Sequence, residues 1–92
     1  MAKIQYGLQH IHQTLTSFLV AYPNWKSVFG KKDEDDSLIL LCDFQPVVTI
    51  TKILGENEFL FQLTNLDHFK ELSQIALDLE RFVEVSITIR TP

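Results

Sequence analysis

Apolar residues near the start of the chain recur every three or four positions. This stripe consists of Ile4, Leu8, Ile11, Leu15, Phe18 and Tyr22. The spacing places all six side chains on one side of an α-helix, so the pattern predicts a helix over residues 3–22. Pro23 ends it, because the residue before a proline is driven out of the α-helical conformation. A short turn of helix over residues 24–29, closed by Gly30, is expected to follow.

A polar run separates this helix from segments of β type. Residues 31–37 contain no apolar side chain, which predicts a flexible acidic loop. Residues 38–42 are continuously apolar but too few for a typical helix, as in a central strand covered on both faces. Residues 43–46 then predict a turn.

The second half of the chain predicts a β-hairpin, a helix and a last strand. The hairpin joins residues 47–54 to residues 59–63 through Gly55, Glu56, Asn57 and Glu58. Asn65 or Asp67 is expected to cap a helix that ends near Arg81 or Phe82. Apolar and polar residues then alternate over 83–89, which predicts a strand with one buried face. The fold class is therefore α+β, one domain over residues 1–92 in the order α-β-β-β-α-β, with an antiparallel four-stranded sheet and two helices packed on one face.

Composition narrows the class of protein. Twelve acidic and eight basic residues give a net charge of −4, the opposite of a typical nucleic-acid-binding footprint, so nucleic acid is an unfavoured partner. The single cysteine, Cys42, cannot form an intramolecular disulfide, which favours a reducing, cytoplasmic location. No apolar run approaches the ~20 residues of a membrane-spanning helix, and we expect neither a signal peptide nor a membrane partner.

The chain lacks the motifs of common enzymes. Its three glycines are isolated and no serine lies in a G-x-S-x-G turn, so neither a phosphate-binding loop nor a nucleophile elbow is expected. Cys42 lies within an apolar strand, where core packing is favoured over nucleophilic or metal chemistry. The acids at 33–36 lack the spacing of a calcium loop, although the sequence leaves structured cation binding there open as the minor alternative. We therefore expect a non-enzymatic protein without catalytic residues, metal, cofactor or small-molecule substrate.

The first helix has an unusual polar face. No charged residue occurs between Ile4 and Trp25, and the side opposite the apolar stripe carries amides, imidazoles and hydroxyls. Such groups cost less to desolvate than ions, and charge depletion is typical of interface cores. The candidate contact residues are Gln5, Gln9, His12, Gln13 and Thr16. The alternatives are a merely polar solvated face, and helix-to-helix dimerisation through the heptad-spaced stripe.

A second candidate surface combines aromatic and basic residues. Trp25, Lys26 and Phe29 stand close together, followed by Lys31 and Lys32. A mixture of this kind can bind nucleic acid or an acidic partner. The alternative is that Trp25 covers the edge of the core.

The predicted order of elements resembles two classes of protein. Its first five elements follow double-stranded-RNA-binding domains, but the second helix begins Asn65-Leu66-Asp67-His68 and carries only Lys70, whereas that family uses a lysine-rich start to reach phosphates. The order also resembles the first part of small acidic chaperones of bacterial secretion systems, which implies a dimer that binds an extended segment of a partner.

These observations together predict a protein-interaction module. If both helices cover one sheet face, apolar residues on the other face stay uncovered, and such patches mark interfaces. We expect a small, self-associating adaptor, regulator or chaperone-like protein, with a homodimer as the favoured state. The last strand, if it lies at a sheet edge, is an alternative site for a partner's strand. The alternative function is a nucleic-acid-associated protein that uses the Trp25, Phe29 and lysine segment.

Overall fold

The computed structural model describes residues 6–32, 35–53 and 57–92. In these residues two helices and five strands follow one another in the order α-β-β-β-β-α-β. The elements are α1 (Leu8–Phe18), a 3₁₀ turn (Leu19–Ala21), β1 (Trp25–Lys32), β2 (Asp35–Cys42), β3 (Gln45–Ile53), β4 (Glu58–Leu63), α2 (Phe69–Phe82) and β5 (Ser86–Arg90). The α+β class predicted from the sequence is confirmed.

The strands form one mixed sheet in the order β1-β2-β3-β4-β5. The first four strands make an antiparallel meander, and β5 lies parallel to β4. The helix α2 connects these last two strands, as a parallel pair requires. The prediction of four antiparallel strands was wrong in number and in the direction of the last pair. The extra strand also removes the α-β-β-β-α order on which the likeness to RNA-binding domains and secretion chaperones depended.

The extra strand, β1, occupies residues for which a turn of helix was predicted. Its residues pair with β2, from Trp25 opposite Cys42 to Lys32 opposite Asp35. Trp25 is 2% exposed and belongs to the core. A strand buries this indole and satisfies the backbone through β2, whereas an isolated helical turn would do neither, so tertiary pairing overrides the local signals of Pro23 and Gly30.

The predicted acidic loop is mostly part of a hairpin. Lys31 and Lys32 end β1, and Asp35 begins β2. The register places Lys31 opposite Asp36 and Lys32 opposite Asp35. This backbone pairing makes a run that looked only solvated part of the two strands. Residues 33 and 34 lie outside the described residues.

The turn expected at residues 43–46 is shorter than predicted. Only Asp43 and Phe44 connect β2 to β3, and their φ angles are 51° and 66°. Positive φ at both central residues is typical of a two-residue type I′ hairpin, usually built with asparagine and glycine. Beyond it, Pro46 pairs with Leu41 and Val48 with Leu40, which leaves Val47 as a bulge. The bulge turns both Val47 and Val48 into the interior.

The predicted hairpin over residues 47–63 is confirmed, with β3 and β4 antiparallel. Its connection at residues 54–56 lies outside the described residues. The last strand begins at Ser86 rather than Val83.

Both helices are shorter at their starts than predicted. The helix α1 begins at Leu8 and continues as a 3₁₀ turn to Ala21, while residues 3–5 of the predicted helix lie outside the described residues. Gly7 is its N-cap, and the Gly7 N–H donates to Nδ1 of His10. The helix α2 is capped by His68 without a side-chain bond. Asn65 instead accepts the N–H of Asp67 in the preceding turn.

Both helices pack on the same side of the sheet, as predicted. In the core, Ile11 and Leu15 of α1 and Leu72 and Ile75 of α2 pack against strand residues on one side of the sheet, which we call the core row. That row consists of Trp25, Leu38, Leu40, Cys42, Val48, Ile50, Phe59, Phe61 and Leu63. Because strand side chains alternate, the strand positions that alternate with this row project from the other side of the sheet, which we call the open face.

Candidate interaction surfaces

The open face has an uncharged centre and charged corners. The central strands contribute Ile39 and Leu41 from β2, Thr49 and Thr51 from β3, and Leu60 and Gln62 from β4. Val28 of β1 is 38% exposed beside Ile39, and Ile39, Leu41 and Leu60 are partly exposed. Among the side chains that the structure describes, the charged members are Lys26 on β1, Glu58 at the start of β4 and Arg90 at the end of β5.

This arrangement has the anatomy of a protein interface. In such interfaces the buried centre is depleted of charge and the rim is polar or charged. None of the residues at the centre was singled out in the sequence analysis, although an uncovered apolar sheet face was anticipated. The signal was the alternation within residues 38–42, which places Leu38, Leu40 and Cys42 on one side and Ile39 and Leu41 on the other.

The polar face of α1 is exposed, but its hydroxyls are satisfied within the helix. Thr14 Oγ1 donates to the carbonyl of His10 at 2.9 Å, Thr16 Oγ1 to that of His12 at 2.8 Å, and Ser17 Oγ to that of Gln13 at 3.4 Å. A partner would therefore compete with bonds that already exist. Of the predicted contact residues, Gln9, Gln13 and Thr16 are exposed, and Gln5 lies outside the described residues.

His12 is turned toward the sheet rather than toward solvent. Its Nδ1 lies 2.9 Å from Oγ of Ser27, and its ring lies 4.7 Å from that of Phe29 between centroids. These contacts join α1 to β1. They give His12 a structural role beside the core.

A groove of about 450 Å³ lies between α1 and Phe82, the last residue of α2. Phe18 and Phe82 form its apolar wall, with ring centroids 4.6 Å apart and steeply inclined. Phe82 is 72% exposed. Gln13, Thr14 and Ser17 complete the lining, so the groove continues the uncharged side of α1.

The aromatic and basic segment does not form one surface. Trp25 and Phe29 occupy odd positions of β1 and face the helices, whereas Lys26 projects from the open face. The indole of Trp25 is buried and its Nε1–H donates to Oε2 of Glu71 at 3.2 Å. Lys26 Nζ lies 5.0 Å above the ring of Phe44. A continuous platform for stacking bases next to cations, as the alternative function needs, is not assembled from these three residues.

Cys42 is buried beside a histidine. Its Sγ lies 3.8 Å from Nδ1 of His68, whose ring packs edge-on against Trp25. Burial raises the pKa of the thiol, and the carboxylates of Asp43 and Glu71 raise it further. A thiol held protonated is a poor nucleophile and a poor metal ligand. The described residues also contain no cluster of three His, Cys, Asp or Glu side chains able to hold a metal ion.

Comparison with other proteins adds no assignment, since the chain matches no protein-family model, no curated protein and no solved structure. Within the described residues, neither helix has the length and apolar character that crossing a membrane requires. The surfaces themselves therefore carry the functional argument.

Proposed function

We propose that this protein is a cytoplasmic, non-enzymatic protein-interaction module that works as a homodimer, with the open face as the contact between the two copies. The observation that carries the proposal is the uncharged centre of that face, because all the helical mass of the described residues packs on the opposite side. Uncovered apolar positions grouped on one sheet face are typical of binding surfaces.

A second copy suits this surface because its charges have both signs. Lys26 and Arg90 are basic, and Glu58 is acidic, all at the periphery. When two identical faces pack across a two-fold axis, acidic corners of one copy can approach basic corners of the other. Stacked sheets lie about 10 Å apart, which lets Ile39, Leu41 and Leu60 of both copies interdigitate.

The size of the open face determines how stable a homodimer we expect. Five strands about 4.8 Å apart span about 19 Å, and five residues along each strand, at about 3.4 Å each, span about 17 Å. This places the contact at the small end of specific interfaces. We therefore expect a dimer that dissociates on dilution.

The test is light scattering across a wide range of concentration for the native chain and three variants. Leu60→Lys and Thr49→Lys each place an ammonium group at the centre of the open face, and two copies would bring like charges together. We expect both to weaken dimerisation at least about 100-fold while circular dichroism stays native. Gln9→Lys adds the same charge on the exposed side of α1 and is expected to leave the dimer intact.

Two results would overturn the proposal. One is a native chain that remains a monomer at all concentrations. The other is a dimer that survives both open-face variants, because its contact would then lie elsewhere. Its loss in Gln9→Lys would place that contact on the polar side of α1.

A further inference from the structure

The exposed edge of β5 is the second surface that the fold leaves unpartnered. β5 ends the sheet, with β4 on one side and none of the described strands on the other. The opposite edge, β1, carries Lys26, Lys31 and Lys32 within eight residues, and lysines on an edge strand discourage pairing with another chain. β5 carries a single charged residue, Arg90, at its end.

The backbone groups that point outward from β5 can be identified. The N–H of Ser86 donates to the carbonyl of Asn57, and the carbonyl of Arg90 accepts from Nε2 of Gln62, so both residues direct their backbone toward β4. Successive residues of a strand direct these groups to opposite sides. Ile87 and Ile89 therefore present their N–H and C=O groups at the open edge.

These outward-pointing N–H and C=O groups are complementary to the same groups of a second copy. We propose that β5 pairs antiparallel with β5 of a second copy about a two-fold axis through Thr88. In that register Ile87 of each copy lies opposite Ile89 of the other, and each pair exchanges two backbone hydrogen bonds. The two sheets become one sheet of ten strands, and four hydrogen bonds close the junction.

The side chains agree with the same register. Ile87 and Ile89 are partly buried on the helix side of the sheet, so the pairing joins β-branched residues across the strands and extends both cores. On the other side Arg90 lies opposite Ser86 of the second copy, so no two charged residues of β5 face each other across the junction.

This contact uses a different surface from the homodimer proposed above, and each can exist without the other. Edge pairing about an axis perpendicular to the sheet leaves both open faces on the same side. A chain that has both contacts assembles beyond a dimer as its concentration rises.

Disulfide trapping tests the register directly. Thr88 forms a pair without backbone bonds to its own symmetry copy, in which Cβ atoms lie about 4.5–5.5 Å apart, and a disulfide needs only slightly less. In a Cys42→Ala chain, Thr88→Cys is expected to form a covalent dimer rapidly under mild oxidation. Ser86→Cys on the same strand and face is the matched control, because its symmetry copy lies about 13 Å away.

Both cysteine variants are compared again with Thr49→Lys added, which removes the open-face contact. We expect the yield of the Thr88→Cys dimer to exceed that of Ser86→Cys at least tenfold in both backgrounds. Equal yields would show random collision and overturn the inference, as would faster trapping through Ser86→Cys. Trapping that disappears with Thr49→Lys would also overturn it, because the contact would then depend on the open face. Loss of the open-face dimer alone leaves the edge pairing standing.

Discussion

The indole of Trp25 donates a hydrogen bond from Nε1 to the carboxylate of Glu71 at 3.2 Å, which links the first strand of the sheet to the second helix. The same indole packs edge-on against His68. The contacts of β1 with α2 thus converge on a residue that, from sequence, was also a candidate for binding a ligand. Its burial makes it a structural residue.

Replacement of Trp25 is therefore expected to affect stability strongly. We predict that Trp25→Ala lowers the free energy of unfolding by about 3–5 kcal/mol, the usual cost of a large cavity. Glu71→Ala should cost about 1 kcal/mol, because Glu71 is exposed and water can accept the indole N–H. Urea denaturation followed by circular dichroism measures both. Phe29→Ala is the control, since Phe29 is 50% exposed, and an equal loss for Phe29→Ala and Trp25→Ala would contradict the prediction.

The environment of Cys42 predicts how stability depends on pH. Burial, followed by Asp43 and Glu71, raises the pKa of the folded thiol above its ordinary value of 9.0. Below pH 9 both the folded and the unfolded chain keep the proton, so this stabilisation is fully present. As the pH rises through 9 toward the folded pKa, only the unfolded chain ionises, and the stabilisation is lost.

The measurement is the free energy of unfolding of the native chain and of Cys42→Ala between pH 7 and pH 10.5. The native chain should lose more stability than the variant over this range, since only the native chain has a thiol to ionise. A thiol-specific reagent at pH 8 should also react with Cys42 far more slowly in the folded than in the unfolded chain. Parallel pH curves together with rapid labelling of the folded chain would show that the thiol is accessible and unperturbed.

The turn between β2 and β3 predicts a reversal of the usual effect of glycine. Phe44 has a φ of 66° and is 76% exposed, and a non-glycine residue in this conformation costs about 1–2 kcal/mol. We predict that Phe44→Gly is more stable than Phe44→Ala by about 1 kcal/mol, whereas alanine is normally the better residue. Both variants lose the contact of Lys26 with the ring, so their difference isolates the backbone. Thermal unfolding that ranks alanine above glycine would refute this explanation.

Patterns within single elements predicted much of this fold, and pairing between elements accounts for what they did not predict. The alternation over residues 59–63 and the stripe through Ile11 and Leu15 reflect burial on one side, which sequence displays directly. β1 was missed because its signal is a match with β2, in which Lys32 meets Asp35 and Trp25 meets Cys42. That match is visible only once the register is known.

The candidate surfaces show the same difference between patterns within one element, which sequence displays, and pairing between elements, which it does not. Exposure of Gln9, Gln13 and Thr16 agrees with the helical pattern. The separation of Lys26 from Trp25 and Phe29 depends on their lying on a strand, because a strand sends neighbouring residues to opposite faces while a helical turn would have grouped them. The helical turn predicted at residues 24–29 therefore grouped Trp25, Lys26 and Phe29 on one surface, whereas the strand places them on two sides of the sheet.

The close approach of Gly30 and Ile39 predicts an energetic coupling on the open face. A Cβ at Gly30 would lie 2.6 Å from Cδ1 of Ile39 and 3.3 Å from its Cγ1. An alanine in a strand ordinarily gains about 0.5–1 kcal/mol over glycine, but here the Cδ1 end of the Ile39 side chain would have to turn away, which offsets this gain. We predict that Gly30→Ala leaves the free energy of unfolding about unchanged in the native chain and raises it by about 0.5–1 kcal/mol when Ile39→Val removes Cδ1. A double-mutant cycle measured by urea denaturation should give a coupling of about 1 kcal/mol, and strictly additive effects would show that Ile39 does not occupy the space above Gly30.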